Sequence, residues 1–121
     1  MTEYALDCEE WLDSPAVMKF SNVTADAKAN IYFEGQVVSH SIVLQDGSKK
    51  TLGIIYPGTY YFSTDSAERM EIIDGSCAVQ LDEIDGWDRF TAGEHFDVPG
   101  KSGFSIEVSG GICQYICSFI D

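Results

Sequence analysis

The residues able to do chemistry gather around one carboxylate. Glu68 stands between an aromatic run, Tyr60-Tyr61-Phe62, and an apolar run from Met70 to Ile73, with Ser63 and Thr64 as nearby hydroxyls. Alternate residues of a strand share a face, so Tyr60, Phe62 and Thr64 point the same way. A carboxylate beside such a face can stay ionised and offset positive charge. If burial raises its pKa, it can instead deliver a proton. Other candidates are sparse, and no nucleophile–base pair stands out. His40 and His95 form neither a His-x-His nor a His-x3-His pair, and each reads as a surface or packed histidine. The four cysteines, Cys8, Cys77, Cys113 and Cys117, contain no C-x-x-C pair and read as reduced, buried thiols. Cys113 and Cys117 fall on one strand face with Tyr115 between them, too far apart along an extended strand for an easy bridge.

The elements that position Glu68 are bounded by turn pairs. Residues 57–75 open on Pro57-Gly58 and close on Asp74-Gly75, with a polar loop expected over 63–68 between two strands. Upstream, 30–33 reads as a short strand closed by Glu34-Gly35. Residues 36–44 alternate Val38, His40, Ile42 and Leu44 against Val37, Ser39, Ser41 and Val43, and Asp46-Gly47 turns into a strand over 51–56. Downstream, strands are expected over 76–81, 87–90, 95–98, 104–108 and 112–120, separated by Asp85-Gly86, Ala92-Gly93, Pro99-Gly100 and Gly110-Gly111. Many short strands spaced by turn signals predict an all-β sandwich or barrel over 18–121. Residues 1–17 differ. They hold five acidic residues and no basic one, and Leu6, Trp11 and Leu12 make a weak helical stripe that ends before Ser14-Pro15. An acidic, partly helical extension, either docked or frayed, is expected there.

A chain of 121 residues makes one domain able to bury its own core without metal or disulfide support. Its charge narrows the partners. Seven Lys plus Arg against 20 Asp plus Glu leave −13, which repels phosphate backbones and anionic lipid, so neither nucleic acid nor a membrane surface is an expected partner. A small anion still fits where a few cations converge, because short-range contacts outweigh a screened net field. No apolar run approaches the roughly 18 residues of a membrane helix. The N-terminus shows no basic, apolar leader pattern, so a cytoplasmic location is expected.

The turn spacing carries a resemblance. Gly58…Glu68-x6-Gly75 followed by Gly93-x5-Pro99 is similar to the two motifs of cupins, double-stranded β-helix barrels. The segments NIYFEGQVVSH, KKTLGIIYPGTYYFST, ERMEIIDG, W-x-x-F-x-AGEHFDVPG and QYICSF resemble the small cupins of the pyrimidine/purine nucleoside phosphorylase family. The likeness covers about 18–119. In metal-binding cupins three histidines accompany the glutamate of the motifs. Their positions fall here on Phe62, Thr64 and Phe104, leaving Glu68 as the one possible ligand, too few for Zn or Fe.

The resemblance implies an all-β, cupin-like jelly-roll barrel and phosphorolysis of purine and pyrimidine nucleosides, with inorganic phosphate as co-substrate, no metal or other cofactor, and a homodimer. It turns Tyr60, Phe62, Thr64 and Phe104 toward the interior, where aromatic walls suit a flat base, and Tyr115 offers a phenol at the cavity mouth. Glu68 is the candidate catalytic group, holding ribose hydroxyls, offsetting charge at C1′, or protonating the departing base. Lys49, Lys50 and Lys101 are the candidate phosphate anchors. Arg69, next to Glu68, has the parity to turn away from the cavity. A non-catalytic barrel that binds a sugar or nucleoside is the alternative.

Overall fold

The computed structural model describes residues 18–120; the acidic extension, with Cys8 and its expected helical stripe, lies outside the described residues. Eleven strands follow in chain order: β1 (Thr24–Ala25), β2 (Asn30–Tyr32), β3 (Val37–Val43), β4 (Lys49–Ile55), β5 (Gly58–Ser63), β6 (Ala67–Asp74), β7 (Ser76–Leu81), β8 (Asp88–Thr91), β9 (His95–Val98), β10 (Gly103–Val108) and β11 (Cys113–Ile120). Among the described residues no helix is long and apolar enough to cross a membrane.

Two antiparallel sheets enclose the core. One runs β1-β3-β4-β11-β6-β9, with β2 added to β3, and the other runs β5-β10-β7-β8. The chain passes between sheets at the turn pairs seen in the sequence, as a jelly roll does. Inward residues from both sheets interdigitate: Val37, Ile55, Met70, Ile72 and Cys113 from the first, Cys77, Val79, Phe104, Ile106 and Val108 from the second. Phe104 is 2% exposed, a burial that contributes about 2 kcal/mol on its own. Cys77, Cys113 and Cys117 are free and buried, as expected of small apolar fillers. Contact with Cys113, together with burial, pushes the Cys77 thiol up.

Two local departures from the sequence reading matter for the site. The expected loop over 63–68 is shorter, because β6 already starts at Ala67 and pairs Glu68 with both Val98 and Phe119. Glu68 is therefore a strand residue with a fixed direction. Residues 30–33 do not end as a plain strand either. Phe33 and Glu34 adopt left-handed φ values of 53° and 57°, so the chain makes one tight turn over Phe33–Gly35. Such backbone costs roughly 1–3 kcal/mol per residue and persists where packing repays it. Here the turn folds the Phe33 ring back onto Tyr60 and Phe62, with centroids 5.0 and 5.4 Å away.

Candidate active site

A cavity of about 590 Å³ opens at the end of the barrel where β5 hands over to β6. Register explains what points into it. A bulge between Gln114 and Tyr115 shifts the β11–β6 pairing by one residue, setting Tyr115 opposite Ile72, Cys117 opposite Met70 and Phe119 opposite Glu68. A one-residue slip exchanges the two faces of a strand. With the bulge in place, Glu68, Met70, Tyr115, Cys117 and Phe119 all line the same cavity. On β4, Thr51 faces it and Lys50 does not.

Glu68 is half-buried, and its environment pulls in two directions. Burial raises its pKa, while the Cys117 thiol, donating to Oε1 at 3.5 Å, lowers it; the net shift is upward. The carboxylate in turn helps push the Cys117 thiol up, behind the larger effect of burial. Tyr115 stands beside this pair. Burial chiefly drives its phenol above its ordinary pKa, and the nearby Ser39 hydroxyl offsets part of that rise. Asn30 donates to Ser39 at 3.2 Å and to Ser41 at 3.0 Å, so a polar chain reaches from β2 through β3 to the cavity floor. Space for the Tyr115 ring comes from Gly53, where a Cβ would lie 2.4 Å from the ring.

The opposite wall is aromatic. Phe62 stacks on Phe104 with centroids 5.7 Å apart and planes at 27°, and Tyr32 and Phe33 meet Phe62 edge-on. Ile31, Tyr32, Phe33, Tyr61 and Phe119 are exposed apolar side chains around the mouth. The result is a cleft with one carboxylate, a thiol, several hydroxyls and a broad aromatic surface. Among the described residues, no Lys or Arg lines it.

Of the residues expected to act on or hold the nucleoside, Glu68, Phe62, Phe104 and Tyr115 come together. Two do not. Tyr60 points inward, but its hydroxyl donates to the carbonyls of Tyr56 and Pro57 at 2.8 and 3.0 Å, fastening the Pro57-Gly58 turn. Gly58, at φ 150°, leaves room for that hydroxyl, since a Cβ there would sit 2.5 Å from it. Thr64 is buried, and its hydroxyl donates to Pro99 O at 2.6 Å while accepting from Ser102 N–H at 3.0 Å, which ties the two loops together. Both side chains are spent on backbone rather than offered to the cavity. Nor do the residues at the cupin histidine positions suit a metal. Two are phenylalanines, and the third is this committed threonine.

The lysines separate. Lys50 lies on the outer face of the sheet, its ammonium donating to Ser118 Oγ at 2.6 Å, which removes it from the cavity. Lys49 shares the parity of Thr51 and stands exposed at the start of β4, at the end of the sheet where Phe119 pairs with Glu68. Lys101 sits in the loop beside Thr64, its N–H donating to Asp65 O at 3.1 Å. Arg69 turns outward as its parity predicts and forms an ion pair with Asp97 at 2.8 Å. Contacts that sequence reasoning missed are Cys117, Ser39, Thr51 and the Tyr32–Phe33 lip. Cys117 was within reach of parity counting from Tyr115, whereas the lip depends on left-handed backbone at Phe33 and Glu34, which Glu34-Gly35 marks only as a strand end.

A family profile described as pyrimidine/purine nucleoside phosphorylase matches residues 27–119. The chain belongs to this family. Relatives carrying that name include proteins of Methylococcus capsulatus (48% identical over 101 residues, 84% of this chain and 97% of the relative) and Aromatoleum aromaticum (50% identical, 84% and 94%). A solved structure of a protein of unknown function from Acinetobacter sp. ADP1 superposes with a TM-score of 0.82 at 41% identity, over 84% of this chain and 98% of that one. Bacillus subtilis oxalate decarboxylase superposes at 0.66 with 16% identity, over 86% of this chain and 30% of that one, a likeness of fold alone. Membership in the pyrimidine/purine nucleoside phosphorylase family and a cupin-like barrel therefore stand together, as the segments quoted above imply.

Proposed function

We propose that this chain catalyses phosphorolysis of purine and pyrimidine nucleosides, giving free base and ribose-1-phosphate without a metal. One observation carries the reading: a half-buried carboxylate faces an aromatic wall inside a family whose named relatives are nucleoside phosphorylases. In the reaction a phosphate oxygen bonds to C1′, the C1′–N bond breaks with its electron pair going to the base, and the base takes up a proton. Positive charge grows on the ribose as the bond stretches. An ionised Glu68 beside the ribose stabilises that charge, and burial makes the interaction stronger than in water. The Phe62–Phe104 stack and the Tyr32–Phe33 lip hold the base by its faces, a contact that asks for no single hydrogen-bond pattern and admits both base classes. Tyr115, in the lining beside Glu68 and Cys117, can donate to a ribose hydroxyl or to the base.

Phosphate has to meet cations at the rim, because no Lys or Arg among the described residues lines the cavity. Lys49, on the cavity-side parity of β4, is the first candidate, and Lys101 on the neighbouring loop is the second. A cytoplasmic location, supported by buried reduced thiols and a net charge that discourages anionic surfaces, and the homodimer that the family resemblance implies complete the proposal. Incubating purified protein with uridine and with adenosine, with and without phosphate, tests the activity by the free base released. Phosphate-dependent release from both substrates is the expected result. A lining without Lys or Arg among the described residues favours a second reading, a barrel that binds nucleoside without turning it over. Calorimetric binding with no base released would establish that one instead.

A further inference from the structure

The outer face of the seven-stranded sheet carries an apolar groove of about 290 Å³, on the side opposite the cavity. Leu52 and Ile54 of β4, Ile73 of β6 and Ile116 of β11 line it. Their parity is opposite to that of Thr51 and Cys117, which face the cavity. Leu52, Ile54 and Ile73 keep part of their surface exposed. Met18 and Phe20 also lie in the groove, and Met18 is the first described residue. The chain preceding it therefore departs from the groove itself.

That preceding segment lies outside the family profile. The family profile starts at residue 27, and 101 residues of this chain already account for 97% of the Methylococcus relative. Its composition suits the groove. Leu6, Trp11 and Leu12 supply apolar side chains, while Glu3, Asp7, Glu9, Glu10 and Asp13 supply charge with no basic residue among them. Lys50 and Arg69 stand on the same outer face, both paired across the sheet with Ser118. Arg69 already holds Asp97, whereas the Lys50 ammonium donates to a neutral hydroxyl and has no carboxylate partner among the described residues. Reach is sufficient. Six residues lie between Trp11 and Met18, seven steps that reach up to about 25 Å as extended chain, and β4, β11 and β6 together span about 10 Å.

We infer that residues 1–17 dock in cis on this groove, with Trp11 and Leu12 covering Leu52, Ile54 and Ile73 and the carboxylates facing Lys50. The segment closes an apolar sheet face that would otherwise recruit another chain, and it leaves the cavity on the far side untouched.

The full-length chain tests this directly. Trp11 and Trp87 are its two tryptophans, so Trp87→Phe leaves Trp11 as the sole reporter. Docked Trp11 emits to the blue of free indole and is quenched by acrylamide several-fold less efficiently, unchanged over a hundredfold range of protein concentration. Ile54→Lys in the groove, or Leu12→Asp in the segment, shifts the emission to the red and restores quenching. Leu12→Asp lies outside the barrel, so its effect is readable even where Ile54→Lys weakens folding. Trp11 quenched like free indole in the Trp87→Phe chain overturns the inference, as does protection that survives Leu12→Asp. Protection that appears only on concentration, together with a dimer that Ile54→Lys dissolves, gives the groove to a second copy and overturns it as well.

Discussion

The Cys117 thiol donates to the Glu68 carboxylate at 3.5 Å from a diagonal position on the adjacent strand. Met70 lies directly across from Cys117 and Phe119 directly across from Glu68, so the bulge beside Tyr115 creates the contact. Burial works against ionisation of Glu68, and the thiol works for it. If Glu68 acts ionised, activity falls as pH drops through a pKa above the ordinary carboxylate range. Removing the donor with Cys117→Ala should move that acid limb to higher pH, and the stronger donor in Cys117→Ser should move it lower. Profiles of kcat/KM against pH for the three proteins check the order, and an unmoved limb means that the thiol does not tune the carboxylate.

Glu68→Gln separates chemistry from folding. Loss of the charge should lower kcat by about 10²–10³-fold. The stability effect has the opposite character. Because the folded pKa is raised, the folded protein binds this proton more tightly than the unfolded chain does. The stabilisation from Glu68 is then complete below its unfolded pKa and is lost as pH rises through its folded pKa. The Gln variant escapes that loss, so its stability relative to the parent should improve with rising pH across this window. Urea denaturation at the two ends of the window measures it, and a constant difference excludes a raised Glu68 pKa.

Tyr115 owes its place to Gly53, and Gly53→Ala sets a methyl 2.4 Å from its ring. Overpacking of this kind costs about 1–3 kcal/mol, and here it should also displace the ring from its place in the cavity lining and raise KM for nucleoside. Tyr115→Leu in the same chain should recover most of the stability but not the binding, a non-additivity that a double-mutant cycle reads directly. Additive effects would mean that the ring does not rest on Gly53.

Most of the barrel was legible because its signals are local. Turn pairs such as Asp46-Gly47 and Asp85-Gly86 mark hairpins, and period-two alternation sorts Val37, Ser39 and Tyr115 to the inside without knowledge of their partners. The missed features depend on pairing. Glu68 looked like a loop residue because Ser63 to Ser66 are polar, yet β9 and β11 on either side draw Ala67 and Glu68 into the ladder. Thr64 has the right parity for the cavity, but parity says nothing about the Pro99 carbonyl and Ser102 amide that arrive from residues far along the chain. Lys50 was grouped with Lys49 by adjacency, and neighbours in a strand face opposite ways.

That opposition gives a charge test for phosphate binding. Lys49→Met should raise KM for phosphate by about tenfold or more, the worth of one charge-assisted hydrogen bond, with KM for nucleoside little changed. Lys50→Met should leave both constants alone, since its ammonium lies on the outer face against Ser118. Initial rates at varied phosphate for each variant decide between them. Equal effects from the two lysines would point to a diffuse field rather than a seat for the anion.

Thr64 provides the sharpest contrast between a site residue and a scaffold residue. Its hydroxyl is buried and satisfied at both ends, donating to Pro99 O and accepting from Ser102 N–H. Valine keeps the shape and strands both backbone groups, a loss of about 1–3 kcal/mol. In a domain of this size each kcal/mol lowers Tm by about 4 °C, so a clear drop in melting temperature is expected. KM for nucleoside should stay near the parent value, because the side chain does not reach the cavity. Thermal melts paired with steady-state kinetics on Thr64→Val measure both quantities. A raised KM with an unchanged Tm would return Thr64 to the substrate, the place that strand parity alone assigns it.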